Sequence, residues 1–293
     1  MSVPAADTMP DMVSLPSASS LCVSVVVYHS NLQRLQETLE TLLVAVHAAR
    51  GAGMLSTVAV VVVDNSLCPD YHSDMLAVIN RVSWTDAAVA YQVLVSTSNS
   101  GYGAGHNRAL EACESDYHLI LNPDIASAPA SLLTGIGYLR EHPGVVLVCP
   151  DGALADGRPA YLSKRMPSVL VLALRAFAPR WLQARFAARL AHYAMHDVHG
   201  AGRPAPVPLA SGCFMLVRGS ALRRIGGFDP AFFLYFEDFD LSLRLASLGE
   251  LHYLPEMRVR HYGGDSARKG LSHLTCFLRS GLRFFHRYGW RWL

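Results

Sequence analysis

The sequence predicts an α/β fold with a mostly parallel sheet, and three observations carry this prediction. Apolar runs rich in β-branched residues recur along the first half of the chain, as expected of strands covered on both faces. Helical patterns separate these runs, which is typical of a doubly wound sheet. Hydrophobic residues make up 51% of the 293 residues and charged residues 16%, so the chain can bury a large core.

The first half alternates between strands and helices. A strand at 22–28 leads into a helix that is capped by Asn31 and closed by Gly51 and Gly53. Ligands of such sheets bind beyond the carboxyl ends of the strands, which sets where functional residues are expected. The further predicted elements are a strand at 57–64, a strand at 91–96, a short helix at 106–113 and a strand at 117–124.

The second half is less regular and shows no internal repeat. A strand at 145–150 precedes a turn-rich excursion, and a basic amphipathic stretch occupies 165–197. Another strand is predicted at 207–219, and a helix is expected to begin near Glu237 and to run to Gly249.

The composition of the chain excludes some classes of function and indicates the cellular compartment. The net charge of +2 gives no global field for nucleic acid, and the arginines of 165–197 lack the paired stacking aromatics of a nucleic-acid site. The six cysteines show no CxxC and no metal-ligand spacing, which indicates a reducing compartment. Residues 1–20 resemble a flexible tail and not a signal peptide, and no apolar run reaches transmembrane length. We therefore expect a cytoplasmic protein.

Polar side chains stand at the predicted strand ends. Tyr28, Asp64 and Asp124 each close an apolar run, and the loop at 99–105 follows another. Asp64 fits two interpretations equally well: it shapes a turn, or it bonds a nucleotide base or ribose. The first strand is followed by "HSNLQ", so the glycine fingerprint of nicotinamide and flavin enzymes is absent.

Three glycines, at 101, 103 and 105, mark the loop "SNSGYGAGHNRAL". No Gly-Lys-Ser/Thr follows them, so the loop is not a Walker phosphate loop. Either it is a flexible linker, or it presents the N–H groups of a helix start to a diphosphate.

Two segments contain candidate ligands for a divalent cation. Asp124 in "LILNPD" can supply an oxygen ligand to a Mg²⁺ or Mn²⁺ ion that bridges a nucleotide diphosphate, although Asn-Pro-Asp is also a good turn. His261 follows the strand-like "MRVR" and can be a second ligand, although a lone histidine is more often an ordinary surface or core residue. Arg268 and Lys269 follow in a loop suited to a phosphate lid.

The segment "FFLYFEDFDLSLRL" places two adjacent acids, Glu237 and Asp238, behind bulky aromatic residues. As first-turn residues they can cap a helix, and Asp240 can pair with Arg244 on its surface. A cap needs only one acid and gains nothing from an aromatic wall. A catalytic base does gain, because burial raises the pKa of a carboxylate toward the working pH.

Six segments, taken in order over residues 20 to 290, resemble a known family. They are "VSVVVYHS", "VVVVDNS", "NSGYGAGHNRAL", "LILNPD", "SGCFMLVRGSALRRIGGFDPAFFLYFEDFDLSLRL" and "VRHYGGDS". The series is similar to inverting GT-A glycosyltransferases of family 2, in the branch that contains bacterial rhamnosyltransferases. The resemblance implies a Rossmann-like, mostly parallel sheet with a smaller mixed acceptor-side region and C-terminal helices.

The resemblance also implies roles for individual residues. Asp238 corresponds to the general base, with Glu237 beside it, and His261 completes a site for Mg²⁺ or Mn²⁺ with Asp124. The metal-binding DxD motif of the family reads Asn-Pro-Asp at 122–124, so its first carboxylate is missing here. The residues expected at the nucleotide sugar are Tyr28, Asp64, Asn99, Gly101, Asn107, Asn122, Asp124 and Arg268.

The implied activity is sugar transfer, foremost of L-rhamnose from dTDP-rhamnose, to a glycan linked to a polyprenyl diphosphate in surface polysaccharide synthesis. Two alternatives stay open: another nucleotide sugar, of galactofuranose, fucose or a hexosamine, or a non-catalytic nucleotide-binding regulator. One transferase domain is expected over 21–278, with a nucleotide-sugar-binding half at 21–125 and an acceptor-binding, catalytic half at 126–278.

A basic amphipathic helix is expected at 279–293. Its arginines recur every four residues beside Phe and Trp, which is typical of a helix that lies in a membrane interface. Alternatively, the aromatic residues pack on the catalytic domain. We expect peripheral attachment to the inner face of the cytoplasmic membrane. The arginines are Arg279, Arg283, Arg287 and Arg291, and the aromatic residues are Phe284, Phe285, Trp290 and Trp292.

Overall fold

The computed structural model describes residues 18–85, 87–263 and 271–293. Its strands are β1 (Ser19–Val27), β2 (Leu55–Asp64), β3 (Ala90–Val95), β4 (Tyr117–Leu121), β5 (Ile125–Ser127), β6 (Val145–Leu154), β7 (Ser163–Lys164), β8 (Ala205–Pro206), β9 (Leu209–Ala210), β10 (Phe214–Arg218) and β11 (Glu250–His261). Its helices are α1 (Leu32–Gly51), α2 (Pro69–Ile79), α3 (Tyr102–Ala112), α4 (Ser131–Glu141), α5 (Val169–Phe177), α6 (Arg180–Arg185), α7 (Ala187–Tyr193), α8 (His196–Gly200), α9 (Gly219–Arg224), α10 (Glu237–Leu245) and α11 (Leu271–Tyr288).

One large sheet organises the chain, with the strand order β3-β2-β1-β4-β10-β6-β11-β5. The strands β3, β2, β1 and β4 run parallel, so their carboxyl ends meet at one edge. By contrast, β10 is antiparallel to its neighbours β4 and β6, whereas β11 runs parallel to β6. The predicted α/β class, with a parallel first half and a mixed second half, is confirmed.

Both faces of β1 and β4 and the second half of β2 are buried, which explains their uninterrupted apolar sequences, whereas the edge strand β3 is largely exposed. In β1, Val23 and Val25 belong to the core on the α1 side, and Cys22 and Val26 belong to a smaller cluster with Ala109 of α3. A strand flanked by helices on both faces cannot alternate apolar and polar residues.

Several predicted boundaries can be compared with the structure. Asn31 caps α1 as predicted, and its side-chain oxygen accepts a hydrogen bond from the Arg34 N–H at 3.0 Å. The predicted strand at 207–219 is interrupted between β9 and β10. The predicted tail at 1–20 ends sooner, because Ser19 already pairs with β2, and residues 1–17 lie outside the described part.

Helix α10 begins at Glu237 as predicted but ends at Leu245, four residues before Gly249. Its Asp240–Arg244 pair does form, at 2.7 Å, yet it is not a surface pair, because the Asp240 side chain is 0% exposed. Helix α11 and the end of α10 cover this carboxylate, as the hydrogen bonds from α11 show.

The C-terminal helix departs from the predicted bounds of 279–293. Helix α11 begins at Leu271 and ends at Tyr288, before Gly289, whose φ of 92° favours glycine and breaks the helix. Phe284 and Phe285 are buried in an aromatic cluster with Phe232, so the alternative of packing on the domain holds for these two. The helix therefore extends the catalytic domain and is not a separate appendage.

Within the described ranges, no helix combines the length and the apolar sequence needed to cross a bilayer.

Candidate active site

The predicted donor-side residues gather at the carboxyl edge of the parallel strands. Tyr28 follows β1, Asp64 ends β2, Asn99 and Gly101 follow β3, and Asp124 follows β4. Because these four strands are parallel neighbours, the residues share one edge of the sheet. This is the edge at which ligands bind in open α/β sheets.

A turn between β9 and β10 joins this edge to the two acids of α10. The carbonyl of Cys213 accepts a hydrogen bond from the Asn122 N–H at 2.9 Å, and the N–H of Gly212 donates to Asp238 Oδ2 at 3.0 Å. The Tyr102 hydroxyl donates to the Gly212 carbonyl at 2.6 Å. The backbone of Gly212 and Cys213 thus connects the end of β4, the start of α3 and the first turn of α10.

The two acids differ in their surroundings. Glu237 is buried, and its Oε2 has no hydrogen-bond partner among the described residues, whereas Asp238 is half-buried. Burial raises the pKa of both carboxyls, and the neighbouring charge of Asp238 raises the pKa of Glu237 further. The N–H groups of Gly212 and Phe239 oppose the rise at Asp238. Asp238 therefore combines access with a raised pKa, as a general base requires.

The acids follow two residues with a strained backbone. Tyr235 and Phe236 have φ values of 69° and 64°, in the left-handed region that bulky residues rarely adopt. Such strain persists only where surrounding contacts impose it, and it clusters at functional sites. Helix α11 supplies such contacts, since Ser280 Oγ donates to the Leu234 carbonyl at 2.9 Å and the Phe284 ring lies 5.3 Å from that of Phe236.

A cavity of about 340 Å³ opens beside Asp238. Apart from the acids, its walls come from the aromatic residues directly before and after them in sequence and from helices α5, α7 and α11. Its size is that of a small-molecule site, and aromatic walls with few charged groups suit a sugar. The predicted basic stretch at 165–197 thus contributes a wall of the site. Lining side chains include Arg175, Tyr193, Tyr235, Phe236, Phe239 and Phe277.

Asp124 and His261 come together as predicted, with His261 Nε2 lying 3.3 Å from Asp124 Oδ2. The pairing of β11 with β5 produces this contact, because it sets His261 opposite Ile125. Asp124 Oδ1 and Asn122 Oδ1 are both buried, and neither has a hydrogen-bond partner in the described part of the chain. Buried oxygens without partners are rare and indicate a group that binds there.

These residues fit a Mg²⁺ or Mn²⁺ ion that is shared with a nucleotide diphosphate. Such an ion takes one or two carboxylates from the protein and completes its shell with phosphate and water. The described ranges contain no cluster of three or more His, Cys, Asp or Glu side chains that could hold a metal ion. The amide oxygen of Asn122, which replaces the missing first carboxylate, is also an oxygen ligand of the kind these ions accept.

Asp64 is occupied within the protein. Its Oδ1 accepts from the Ser66 N–H at 2.8 Å, and its Oδ2 lies 2.9 Å from His72 Nδ1. The Asp64 side chain is 2% exposed, whereas that of His72 is 27% exposed. The geometry favours the turn interpretation of Asp64 and makes His72, which the sequence interpretation missed, the more open side chain here.

The loop glycines pack closely against neighbouring segments. A Cβ on Gly101 would collide with the Phe233 carbonyl, and that carbonyl accepts the Tyr102 N–H at 3.0 Å. Gly103 and Gly105 lie similarly against side chains of neighbouring segments. Helix α3 therefore starts at Tyr102, earlier than predicted, and its first N–H is used within the protein.

Of the remaining predicted residues, two bond within the protein, one is exposed and one lies outside the described residues. Asn107 bonds the Phe228 backbone through both side-chain polar atoms, each at 2.8 Å, so it fastens α3 to that turn instead of facing a donor. Asn99 Oδ1 accepts a hydrogen bond from the Gly101 N–H of the same loop at 3.0 Å. Tyr28 is 57% exposed at the edge of the sheet and stays available to a ligand. Arg268 lies outside the described residues.

Gly212→Ala is expected to lower kcat about tenfold while the affinity for the donor nucleotide is unchanged. The added Cβ would lie 3.2 Å from the Asp238 Cβ and 3.3 Å from the Tyr102 ring, so Asp238 must move by a few tenths of an ångström. Small displacements of a reacting group are costly to the rate. Gly137→Ala, on α4 with no atom within 4 Å of the new Cβ, is the control. Equal kcat values for the two variants would contradict a close fit at Gly212.

The chain matches a family model over most of its length and is similar to two rhamnosyltransferases. The model described as "Glycosyltransferase like family 2" matches residues 19–275. The chain is 29% identical over 222 residues to N-acetylglucosaminyl-diphospho-decaprenol L-rhamnosyltransferase of Mycobacterium tuberculosis, covering 68% of this chain and 69% of that protein. It is also 29% identical over 209 residues to rhamnosyltransferase WbbL of Escherichia coli, covering 67% of this chain and 75% of that protein.

Solved structures share the fold. GalNAc-T7, crystallised with UDP, GalNAc and Mn²⁺, superposes with a TM-score of 0.63 at 12% identity over 92% of this chain, which spans 48% of that chain. Residues 1–349 of TarS from S. aureus give a TM-score of 0.54 at 16% identity over 83% of this chain and 60% of that chain. These likenesses confirm the predicted GT-A fold. Since the family model covers most of its length, the chain belongs to glycosyltransferase family 2 and is a glycosyltransferase.

Proposed function

We propose that the enzyme transfers L-rhamnose from dTDP-rhamnose to an N-acetylglucosaminyl diphosphate lipid, as an inverting transferase. The observation that carries the proposal is the turn at Gly212 and Cys213, which bonds the end of β4 and the base candidate Asp238 into one site. The names of the Mycobacterium tuberculosis and Escherichia coli relatives support the choice of sugar, and the former supports the choice of acceptor.

Asp238 takes the proton from an acceptor hydroxyl as the oxygen of that hydroxyl attacks the anomeric carbon of the donor. A carbon–oxygen bond forms to the acceptor, the bond from the anomeric carbon to the diphosphate breaks, and the nucleoside diphosphate leaves. One displacement inverts the anomeric configuration. Asp124 and His261 would hold a divalent ion, which would supply positive charge to offset the charge of the leaving diphosphate.

A donor panel tests the choice of sugar. Purified protein is mixed with an N-acetylglucosaminyl diphosphate lipid and, in parallel, with dTDP-rhamnose and nucleotide-linked galactofuranose, fucose and N-acetylhexosamines. We expect product only, or far faster, with dTDP-rhamnose. Product from only one of the other donors would show that the enzyme transfers the sugar of that donor and not rhamnose. Nucleotide binding without product from any donor would favour the non-catalytic regulator.

Asp124→Ala and His261→Ala are each expected to weaken dTDP binding about ten- to hundredfold in the presence of Mg²⁺ or Mn²⁺. Each change removes a ligand from the proposed ion. Calorimetry with and without EDTA measures the effect, and EDTA should bring wild type close to the variants. His47→Ala, at an exposed position on α1, is the matched control. Unchanged binding in both variants and in EDTA would exclude a metal role for these two residues.

Attachment to the membrane surface is the second part of the proposal. Leu274, Leu278 and Leu282 lie on one exposed face of α11, with 37%, 50% and 51% of their surfaces open. Arg279 and Arg283 are exposed on the same helix. Exposed apolar residues flanked by arginines suit the interface of an anionic bilayer.

The exposed surface continues beyond α11. Trp290 and Trp292 are 40% and 65% exposed, and Phe177 and Trp181 of α5 and α6 are 62% and 72% exposed. The carbonyl of Arg291 accepts from the N–H that starts α5 at 2.8 Å, which holds these segments side by side. We define the docking face as the exposed apolar and basic residues of this surface, which are Phe177, Trp181, Leu274, Leu278, Arg279, Leu282, Arg283, Trp290 and Trp292.

Leu278→Gln together with Leu282→Gln is expected to reduce flotation with anionic liposomes several-fold, and high salt should reduce flotation of wild type. Deleting 279–293 is a poor test, because it would also remove the buried Phe284 and Phe285. Val44→Gln, at an apolar position on α1 that is 52% exposed, is the control. Flotation of the double variant at the level of this control would show that α11 is not the anchor.

A further inference from the structure

The cavity beside Asp238 contains a cation that the transfer reaction leaves without a role. Arg175 of α5 is the only Lys or Arg among the described residues that line the cavity, and no described carboxylate forms an ion pair with it. Its Cζ lies 5.5 Å from the centre of the Tyr193 ring, which is 5% exposed, so a buried ring supports the guanidinium. An unpaired arginine that is held over a ring is prepared to bind an anion.

We propose that Arg175 binds the diphosphate of the lipid-linked acceptor and so selects glycans that carry a diphosphate over glycans with a neutral aglycone. This inference rests on the proposed function. A planar guanidinium suits the task, because it offers two parallel N–H donors to phosphate oxygens.

The base candidate and the cation line the same cavity. Asp238, Phe239 and Tyr235 line it together with Arg175 of α5. Phe177, at the end of the same helix, belongs to the docking face and is 62% exposed. The proposal therefore sets the acceptor sugar at Asp238, its diphosphate at Arg175 and its lipid toward the docking face.

The neighbouring charges agree with this placement. Lys164 lies within electrostatic reach of both Arg175 and Asp238; burial and the Arg175 charge lower the pKa of Lys164 to about 8, while Asp238 opposes that change. The Lys164 ammonium donates to the Tyr161 carbonyl, and Lys164 is not among the described residues that line the cavity. Among those lining residues, Arg175 is therefore the cation that can meet a ligand.

The diphosphate of the donor is a different source of the same chemistry, and its place is elsewhere. The residues proposed to hold it, Asp124 and His261 with Asn122, do not line the cavity of Arg175. If Arg175 binds the diphosphate of the acceptor, its substitution leaves the affinity for the donor unchanged. Measuring the affinity for the donor therefore distinguishes the two diphosphates.

The test is binding without turnover. Dissociation constants are measured calorimetrically, with no donor present, for N-acetylglucosamine linked to a short lipid through a diphosphate and for the same sugar on a neutral alkyl chain. Arg175→Gln should weaken binding of the diphosphate compound about ten- to hundredfold, as expected for the loss of a charge-assisted contact, and leave the neutral compound unchanged. Arg175→Lys should recover part of the loss. Arg189→Gln, at an exposed position on α7 outside the cavity lining, is the matched control.

Three results would overturn the inference. They are equal weakening of both compounds, no weakening of either, and weakened binding of dTDP in Arg175→Gln, which would assign the arginine to the donor. A wild-type enzyme that binds the diphosphate compound through Arg175 yet transfers no sugar would instead contradict the proposed function and leave this contact standing.

Discussion

Asp238→Asn is expected to lower the rate of sugar transfer about 10²- to 10⁴-fold, while dTDP binds with near wild-type affinity. The amide oxygen keeps the shape of the side chain and can still accept the Gly212 N–H, which reaches Asp238 at 3.0 Å in the wild type. It cannot take a proton from the acceptor. Initial rates with saturating donor and acceptor, together with calorimetry of dTDP, measure the two effects.

Stability and pH provide the controls for this variant. Burial raises the pKa of Asp238 in the folded protein, so the charged carboxylate lowers stability once the pH exceeds that raised pKa. The neutral amide carries no such charge, and the Tm of Asp238→Asn should equal or exceed that of wild type near neutral pH. Wild-type kcat/KM should fall as the pH is lowered through the raised pKa, because the base becomes protonated. Rapid turnover by the folded variant would disprove the role of Asp238.

Asp240→Ala is expected to lower the free energy of unfolding by about 3–5 kcal/mol, the range for removing one partner from a buried charge network. The Asp240 carboxylate is 0% exposed and accepts from Arg244 Nε, from Arg287 Nη1 and from the Tyr288 hydroxyl, each at 2.7 Å. Arg287 keeps its second partner, Asp229, at 2.7 Å, but Arg244 loses its carboxylate. The change thus removes the hydrogen bonds that α11 makes to Asp240 of α10, the helix that begins with Glu237 and Asp238.

Urea unfolding followed by circular dichroism measures this loss. The matched control is Asp156→Ala, which removes an acid from a 2.7 Å pair with Arg158 in which both side chains are mostly exposed. Exposed pairs contribute about 0–1 kcal/mol, so the control should be nearly neutral. Similar losses in the two variants would mean that the Asp240 network does not fasten α11.

Much of the fold could be predicted from the sequence, because local patterns determined it. The central parallel strands β1 and β4 are buried on both faces, and a strand of that kind must be apolar throughout. The cap at Asn31 depends on a single side chain and the next three residues. The carboxyl-edge position of Asp124 follows from strand order, and its meeting with His261 was expected from the resemblance to a family.

What could not be predicted depends on contacts between distant segments. Nothing in the spacing of Asn107 shows that Phe228 will occupy both of its polar atoms, 121 residues further along. Arg175 belongs to a stretch of similar arginines, and only the folded chain sets this one over Tyr193. The loop glycines carried a familiar pattern, but steric crowding by the Phe233 carbonyl and by neighbouring side chains requires them.

The C-terminal segment shows the same limit. The four-residue spacing of its arginines suggests a single basic face, yet Arg287 forms ion pairs with Asp229 and with the buried Asp240, whereas Arg279 and Arg283 are exposed on the surface of the helix. The predicted helix was thus divided by tertiary contacts into a structural side and an exposed side.

We propose that sugar transfer is a single displacement at one site, in which Asp238 activates the acceptor hydroxyl. The anomeric configuration of the product distinguishes a single displacement from a double one. The wild-type product made from dTDP-rhamnose is purified, and the one-bond carbon–hydrogen coupling at the new anomeric carbon is measured by NMR and compared with that of the donor. We expect the opposite configuration from that of the donor sugar. Retention of the donor configuration would require a second displacement and would contradict the assignment of Asp238 as the base.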